Sequence, residues 1–103
     1  MGQEYIQDRY GHTIYITDER WEHIYEDHPD MIGYDQQVLE TLRHGKRAQD
    51  ELNPSKYFYT KEFHDLVDLN NHIVVVVKFG WATDEHGQEI PNNFVLTAYQ
   101  NFF

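Results

Sequence analysis

Five consecutive branched apolar residues, Ile73-Val74-Val75-Val76-Val77, constrain this chain more than any other segment. A strand with one wet face alternates apolar and polar residues; this run is apolar on both parities. It is therefore expected at the centre of a sheet, covered by helices on at least one face. The strand reads from His72 to Trp81, and Lys78 shares parity with Val74 and Val76, emerging from an apolar row near the strand end.

The flanking segments supply neighbours for it. Lys56 to Lys61 is aromatic and alternating, and Leu66 to Leu69 reads as a short strand. Asn70-Asn71 suits a tight turn because Asn tolerates positive φ. Asp84 to Asn93, with Gly87 and Pro91, reads as an exposed loop before a last strand, Phe94 to Tyr99. On that strand Phe94, Leu96 and Ala98 form the more apolar set, so Thr97 and Tyr99 are expected to point away from the helices.

Earlier in the chain the period changes. Tyr5–Gln7 and Thr13–Ile16 read as two short strands around a turn at Arg9-Tyr10-Gly11-His12, with Gly11 supplying the awkward dihedral. Thr17 and Asp18 offer N-caps, and Trp21, Ile24, Tyr25 and His28 then fall on one helical face. Pro29 ends that helix. A second helix starts at Asp35 with Val38, Leu39 and Leu42 inward, and His44-Gly45 closes it with glycine as the C′ residue. Residues 46–55 are polar, include Pro54, and read as a loop. The expected fold is α+β: two N-terminal helices packed on one face of an antiparallel, roughly four-stranded sheet, with a short N-terminal hairpin. The expected core sets Trp21, Ile24, Tyr25, Val38, Leu39 and Leu42 against Ile73, Val75, Val77, Phe94 and Leu96.

Length and composition narrow the class. A chain of 103 residues is expected to form one domain, 1–103. No apolar run approaches the ~20 residues of a membrane span. The opening residues show no basic region followed by an apolar stretch, so a cytoplasmic protein with no membrane partner is expected. Without cysteine there is no disulfide framework, thiolate ligand or thiol nucleophile.

The net charge is −10, which argues against a general nucleic-acid coat protein. The charge is uneven, however: residues 1–42 carry a net −8, residues 43–61 a net +3 and residues 62–103 a net −5. A basic patch on an acidic body can hold one phosphate or a short strand, and the same lysines and arginines also suit a solvated loop.

Candidate chemistry is sparse. His23 and His28 are five apart, which is not the zinc-protease spacing, and the seven histidines show no other ligand pattern, so neither metal nor cofactor is expected. His28 lies on the apolar helix face, as a core histidine would, and His23 lies opposite. Tyr57 and Tyr59 can stack on bases or donate to phosphate, and equally suit a strand by propensity alone. No Gly-rich phosphate loop, nucleophile elbow or paired-carboxylate signature is present.

Several segments taken in order carry a resemblance. Ile16-Thr17-Asp18-Glu19-Arg20-Trp21-Glu22-His23-Ile24 with His28-Pro29, Leu39-Glu40-Thr41-Leu42 with Gly45-Lys46-Arg47, Ser55-Lys56-Tyr57-Phe58-Tyr59, and Thr97-Ala98-Tyr99 follow one another along the chain. Together they resemble small prokaryotic and phage-associated members of the barnase, EndoU, colicin and RelE-like ribonuclease superfamily. The resemblance implies metal-free RNA cleavage, in which a 2′-OH attacks the adjacent phosphate with help from a base, an acid and phosphate donors. It makes His28 or His23 the acid–base candidate, gives the phosphate to Lys46, Arg47 or Lys56, and lets Thr97 and Tyr59 orient or donate. It implies RNA as partner, and a toxin role would add a cognate antitoxin or basic protein partner. The acidity departs from most RNA-cleaving toxins, and Asp27 stands before His28 where many relatives carry a basic residue. A non-catalytic acidic binding protein, an inhibitor or nucleic-acid mimic on the same fold, is the alternative expectation.

Overall fold

The computed structural model describes residues 2–103. Strands β1 (Gln3–Gln7) and β2 (Thr13–Thr17) form a hairpin whose turn places Gly11 at φ +89°. Helix α1 (Asp18–Asp27) follows at once, because the Thr17 hydroxyl caps it by accepting from Arg20 N at 3.0 Å. Asp18 and Glu19 complement the positive end of its dipole. Pro29 stops it, a single 3₁₀ turn spans Pro29–Met31, and helix α2 (Asp35–His44) buries Val38, Leu39, Thr41 and Leu42.

Six strands then emerge from the remaining chain: β3 (Lys46–Gln49), β4 (Lys56–Glu62), β5 (His72–Lys78), β6 (Trp81–Thr83), β7 (Glu89–Pro91) and β8 (Phe94–Asn101). The main sheet runs β1-β2-β8-β5-β4-β3, and β6 with β7 forms a separate hairpin. The run Ile73–Val77 sits between β8 and β4, and all five residues are buried.

The architecture corrects the expected fold. The sheet has six strands and is mixed, not roughly four-stranded and antiparallel, and the helices are not an N-terminal pair, since β1 and β2 precede them within the same sheet. A parallel bridge between Tyr15 and Phe94, with Tyr15 N donating to Asn93 O at 2.9 Å, joins the hairpin to β8. Residues 46–49 pair with β4 rather than looping; an edge strand tolerates polar residues such as Lys46 and Arg47. Leu66–Leu69 is no strand: Asn70 N closes a turn on Val67 O, and the positive φ belongs to Asp68 rather than to Asn70 or Asn71. The central strand ends at Lys78, not Trp81, and part of the expected 84–93 loop pairs as β7.

Two further corrections have local causes. Between β5 and β8 the register shifts, so Val77 faces Val95 while Val76 faces Thr97 and Leu96 is the extra residue. Such a bulge moves side chains to the opposite face, and Val95 and Ala98 enter the core where Phe94 and Leu96 were expected. Gly45 does follow α2, but at φ −69°. Its lack of a side chain is required by crowding, because a Cβ there would meet the Thr41 carbonyl and come within 2.7 Å of the Thr60 carbonyl oxygen.

The sheet curls strongly. Helix α2 packs against β1 at one edge and against β4 and β5 near the other. The inner face carries Ile14, Ile16, Tyr59, Ile73, Val75, Val77, Val95 and Ala98 against Ile24, Met31, Val38, Leu39 and Leu42. The outer face is left without a helix. No helix is long and apolar enough to cross a membrane, and no His/Asp/Glu group with metal-binding proximity occurs among the described residues.

Candidate phosphate site on the outer sheet face

Strand register decides which candidate side chains share a surface. Lys56 is directly opposite Lys78, which is opposite Phe94, which pairs with Tyr15, which is opposite Tyr5. One transverse row across five strands therefore reads Lys-Lys-Phe-Tyr-Tyr on the outer face. The next row sets Ala48, Phe58, Val76 and Thr97 side by side, and the one after sets Lys46, Thr60, Val74 and Tyr99 together. Thr97 lies diagonally from Lys78, about 7–8 Å away by ordinary cross-strand geometry.

Two lysines directly opposite one another repel and are destabilising. Neither Lys56 nor Lys78 has a carboxylate partner among the described residues, although the chain carries eighteen acids against eight bases. Of the strand residues on the outer face only Glu62 is acidic. The carboxylates are therefore segregated from this face. An anion placed between Lys56 and Lys78 would relieve their repulsion, and the Thr97 hydroxyl projects from the same face.

His28 approaches from the free end of β8. Pro29 ends α1 beside that strand, and the His28 ring packs on Tyr99 with centroids 5.7 Å apart. It is half-buried, not a core residue, and neither ring nitrogen has a protein hydrogen-bond partner among the described residues. His23 lies elsewhere, on the exposed side of α1 between Glu19 (3.9 Å) and Glu26 (3.6 Å).

Arg47 and Tyr59 are on the inner side and are already engaged. The buried Asp8 carboxylate accepts from the Tyr59 hydroxyl, from Arg47 Nη1 at 3.3 Å, and from the backbone N–H groups of Tyr10 (2.9 Å) and His12 (2.8 Å). Arg47 Nη1 also meets Tyr59 Oη at 3.3 Å and His12 Nδ1 at 3.1 Å, while its guanidinium lies over Tyr10, Tyr57 and Phe79. Burial, and then the bond to Asp8, push the Tyr59 phenol well above its ordinary value, so it stays protonated. Burial lowers the Arg47 guanidinium, but the Tyr59 bond and the Asp8 charge outweigh it and the net shift is upward. This cluster ties the end of β1 to β3 and β4 at the far edge of the sheet, a structural clamp rather than an open anion site.

The structure thus brings Lys46, Lys56 and Thr97 to one face with His28 at its margin, and separates Arg47, Tyr59 and His23 from them. Lys46 also borders a second cleft of about 320 Å³ with Arg9, His44, Lys61, Glu62 and His72. There Lys61 is paired with Glu40 at 2.9 Å and Arg9 donates to the His44 carbonyl. The site residues absent from the candidate set are Lys78 and Tyr99. Strand parity signalled both, but the lysine opposite Lys56 required the register. No protein-family model matches the chain, and no curated protein or solved structure is significantly similar to it.

Proposed function

We propose that the outer sheet face binds a phosphodiester and that the chain is a metal-independent endoribonuclease. The unpartnered Lys56–Lys78 pair, set on a face almost free of carboxylates, carries this reading. The two ammonium groups hold the non-bridging phosphate oxygens. The His28 imidazole stands beside Tyr99, two residue rows or about 13 Å of strand from the lysine pair, so it serves a phosphate further along the same bound strand; there it takes the proton from the ribose 2′-OH as that oxygen attacks phosphorus. The P–O5′ bond then breaks, the 5′-oxygen takes a proton from solvent, and a 2′,3′-cyclic phosphate remains. Thr97 donates to a phosphate oxygen.

The test is single-stranded RNA incubated with purified protein in EDTA, with the ends identified. Cyclic phosphate should appear, and His28→Ala and Lys78→Ala should each slow cleavage about 100-fold, the scale of lost acid–base or charge stabilisation. Intact RNA at high protein concentration rejects the reading.

One observation favours a second reading, a non-catalytic acidic binding protein. Helix α1 exposes Asp18, Glu19, Glu22, Glu26 and Asp27. A labelled oligo-arginine peptide would then bind the wild type and lose affinity in Glu19→Lys/Glu22→Lys/Glu26→Lys. The equal charge change Asp84→Lys/Glu85→Lys/Glu89→Lys, on the β6–β7 hairpin, should have a smaller effect. Equal losses from both triple variants would reduce the interaction to net charge alone.

A further inference from the structure

The lysine pair occupies only two of the five positions in its row. The other three are aromatic. Tyr15 lies 5.9 Å from Phe94 and 5.8 Å from Tyr5, centroid to centroid, and each pair is tilted, by 38° and 46°. Tyr5 is 64% exposed, and Tyr15 and Phe94 are half-buried. Three neighbouring strands, β1, β2 and β8, have no packing need for an aromatic each at one position on their outer side; single exposed aromatics are ordinary, but a row is not.

Beside that row lies a cleft of about 350 Å³ bounded by Tyr5, Thr13, Tyr15, Ile90, Pro91 and Asn92. The hairpin β6–β7 supplies its outer wall through Ile90 and Pro91. Asn92 fixes Tyr15 by accepting from its hydroxyl at 3.0 Å. The Asn92 amide Nδ2 has no protein acceptor among the described residues and is free to donate into the cleft.

We infer that Phe94, Tyr15 and Tyr5 form a base-stacking platform for single-stranded nucleic acid, continuing from the phosphate held at Lys56 and Lys78. The inference rests on the phosphodiester reading and extends it to the substrate's bases. Neighbouring strands are about 4.8 Å apart, so the row spans about 19 Å, and sheets of comparable width stack two or three bases on exposed aromatics. The charge pattern selects this occupant: cations at one end of the row, aromatic faces along the rest, and no acid at any of its five strand positions. A duplex is a poor fit, since its bases are stacked on one another and unavailable to side chains. Stacking is sequence-tolerant, so the free Asn92 amide, beside the cleft, is placed to favour a base that offers an acceptor.

Binding of a fluorescein-labelled single-stranded deoxyoligonucleotide of eight residues tests this apart from catalysis, because the probe lacks the 2′-OH and cannot be cleaved by the proposed route. Tyr15→Ala should weaken binding roughly 10-fold, the usual cost of one lost stacking partner. Tyr15→Phe, which keeps the ring and loses only the bond to Asn92, should bind close to wild type. Trp81→Ala removes a more exposed aromatic that is off the row and should change nothing. Above about 150 mM salt, Lys56→Ala should lower the magnitude of the salt slope by about 0.7, the contribution of one phosphate contact to a single strand, whereas Tyr15→Ala should leave the slope unchanged. Near-native melting of each variant keeps the comparison free of folding effects. Wild-type protein that binds the deoxyoligonucleotide but leaves RNA intact loses the nuclease reading and keeps the platform. Wild-type affinity in Tyr15→Ala, an equal loss in Trp81→Ala, or no binding of the probe at about 150 mM salt overturns the platform, including the case where RNA is still cleaved.

Discussion

Replacing Asp8 by Ala should unfold the curl of the sheet before it disturbs either helix. The Asp8 side chain has no solvent exposure, and that of Arg47 is 18% exposed. Truncation leaves four donors to account for. The backbone N–H groups of Tyr10 and His12 sit on an exposed turn, where water can replace the carboxylate at little cost. The Tyr59 hydroxyl cannot be reached so easily, because Tyr59 is fully buried, and an unsatisfied buried hydroxyl costs about 1–3 kcal/mol. Breaking a buried charge pair from one side adds to this, for a total of about 3–5 kcal/mol. In a domain of this size 1 kcal/mol moves Tm by about 4–8 °C, so a fall of about 20 °C is expected by calorimetry or circular dichroism. Tyr59→Phe removes one bond to a charged acceptor and should cost about 1.5–3 kcal/mol. Because Asp8 and Arg47 share the clamp, Asp8→Ala with Arg47→Met should cost less than the sum of the two single changes. A drop under about 5 °C in Asp8→Ala, or strict additivity in the double variant, would refute the idea that this cluster closes the sheet.

Three other outcomes follow from the same structure. Val75→Asp should prevent stable folding, since it puts an unpaired charge at the centre of the β8-β5-β4 layer; a soluble variant with near-native melting would contradict the assigned core. Tyr59 is held above its unfolded value of ~10 by burial first, so its stabilisation is complete below about pH 10 and should be lost as pH rises beyond it, with Tyr25 adding in the same sense; urea midpoints at pH 9, 10 and 11 should decline less steeply in Tyr59→Phe. Oligonucleotide affinity should pass through a maximum with ionic strength, read by anisotropy from about 10 mM to 500 mM salt.

Local chemistry was legible in the sequence, and long-range pairing was not. The branched run at 73–77, the Thr17 cap, the Pro29 stop and the inward stripe of α2 are short-range signals, and each is found where periodicity puts it. Thr97 and Tyr99 were also readable as outward-facing, by parity alone, and they do pair with the outward residues Val76 and Val74. The core positions Phe94 and Leu96 failed because one bulge residue inverts parity within a strand, and a bulge leaves no residue signature in Phe94-Val95-Leu96-Thr97. The strand count failed because edge pairing of the polar segment Lys46–Gln49 depends on partners 8 to 14 residues away, and the single parallel bridge of Tyr15 on one 79 residues away. For the site, the resemblance points to Arg47 and Tyr59. What removes them is Asp8, an acid near the N-terminus that only the curled sheet brings within reach. The opposed lysines were equally hidden, since Lys56 and Lys78 are twenty-two residues apart.

The expected salt maximum shows how an acidic protein can hold a polyanion at all. At about 0.15 M salt the Debye length is ~8 Å, and the molecule measures 49 × 30 × 23 Å. Acids on the far side of α1 are then largely screened from a strand lying on the outer face, while Lys56 and Lys78 act at contact distance. At about 10 mM salt the Debye length grows to ~30 Å, comparable with the molecule itself, and the net charge of −10 repels the ligand as a whole. Above physiological salt the counterion-release gain from the lysines shrinks, and affinity falls again. The two regimes have different owners. Glu19→Gln/Glu22→Gln/Glu26→Gln should raise affinity at 10 mM and leave it nearly unchanged at 150 mM, whereas Lys78→Ala should lower it at both. Affinity that declines steadily from 10 mM upward would mean that the acids exert no long-range field on the site, and the segregation of charge by face would then lose its functional meaning.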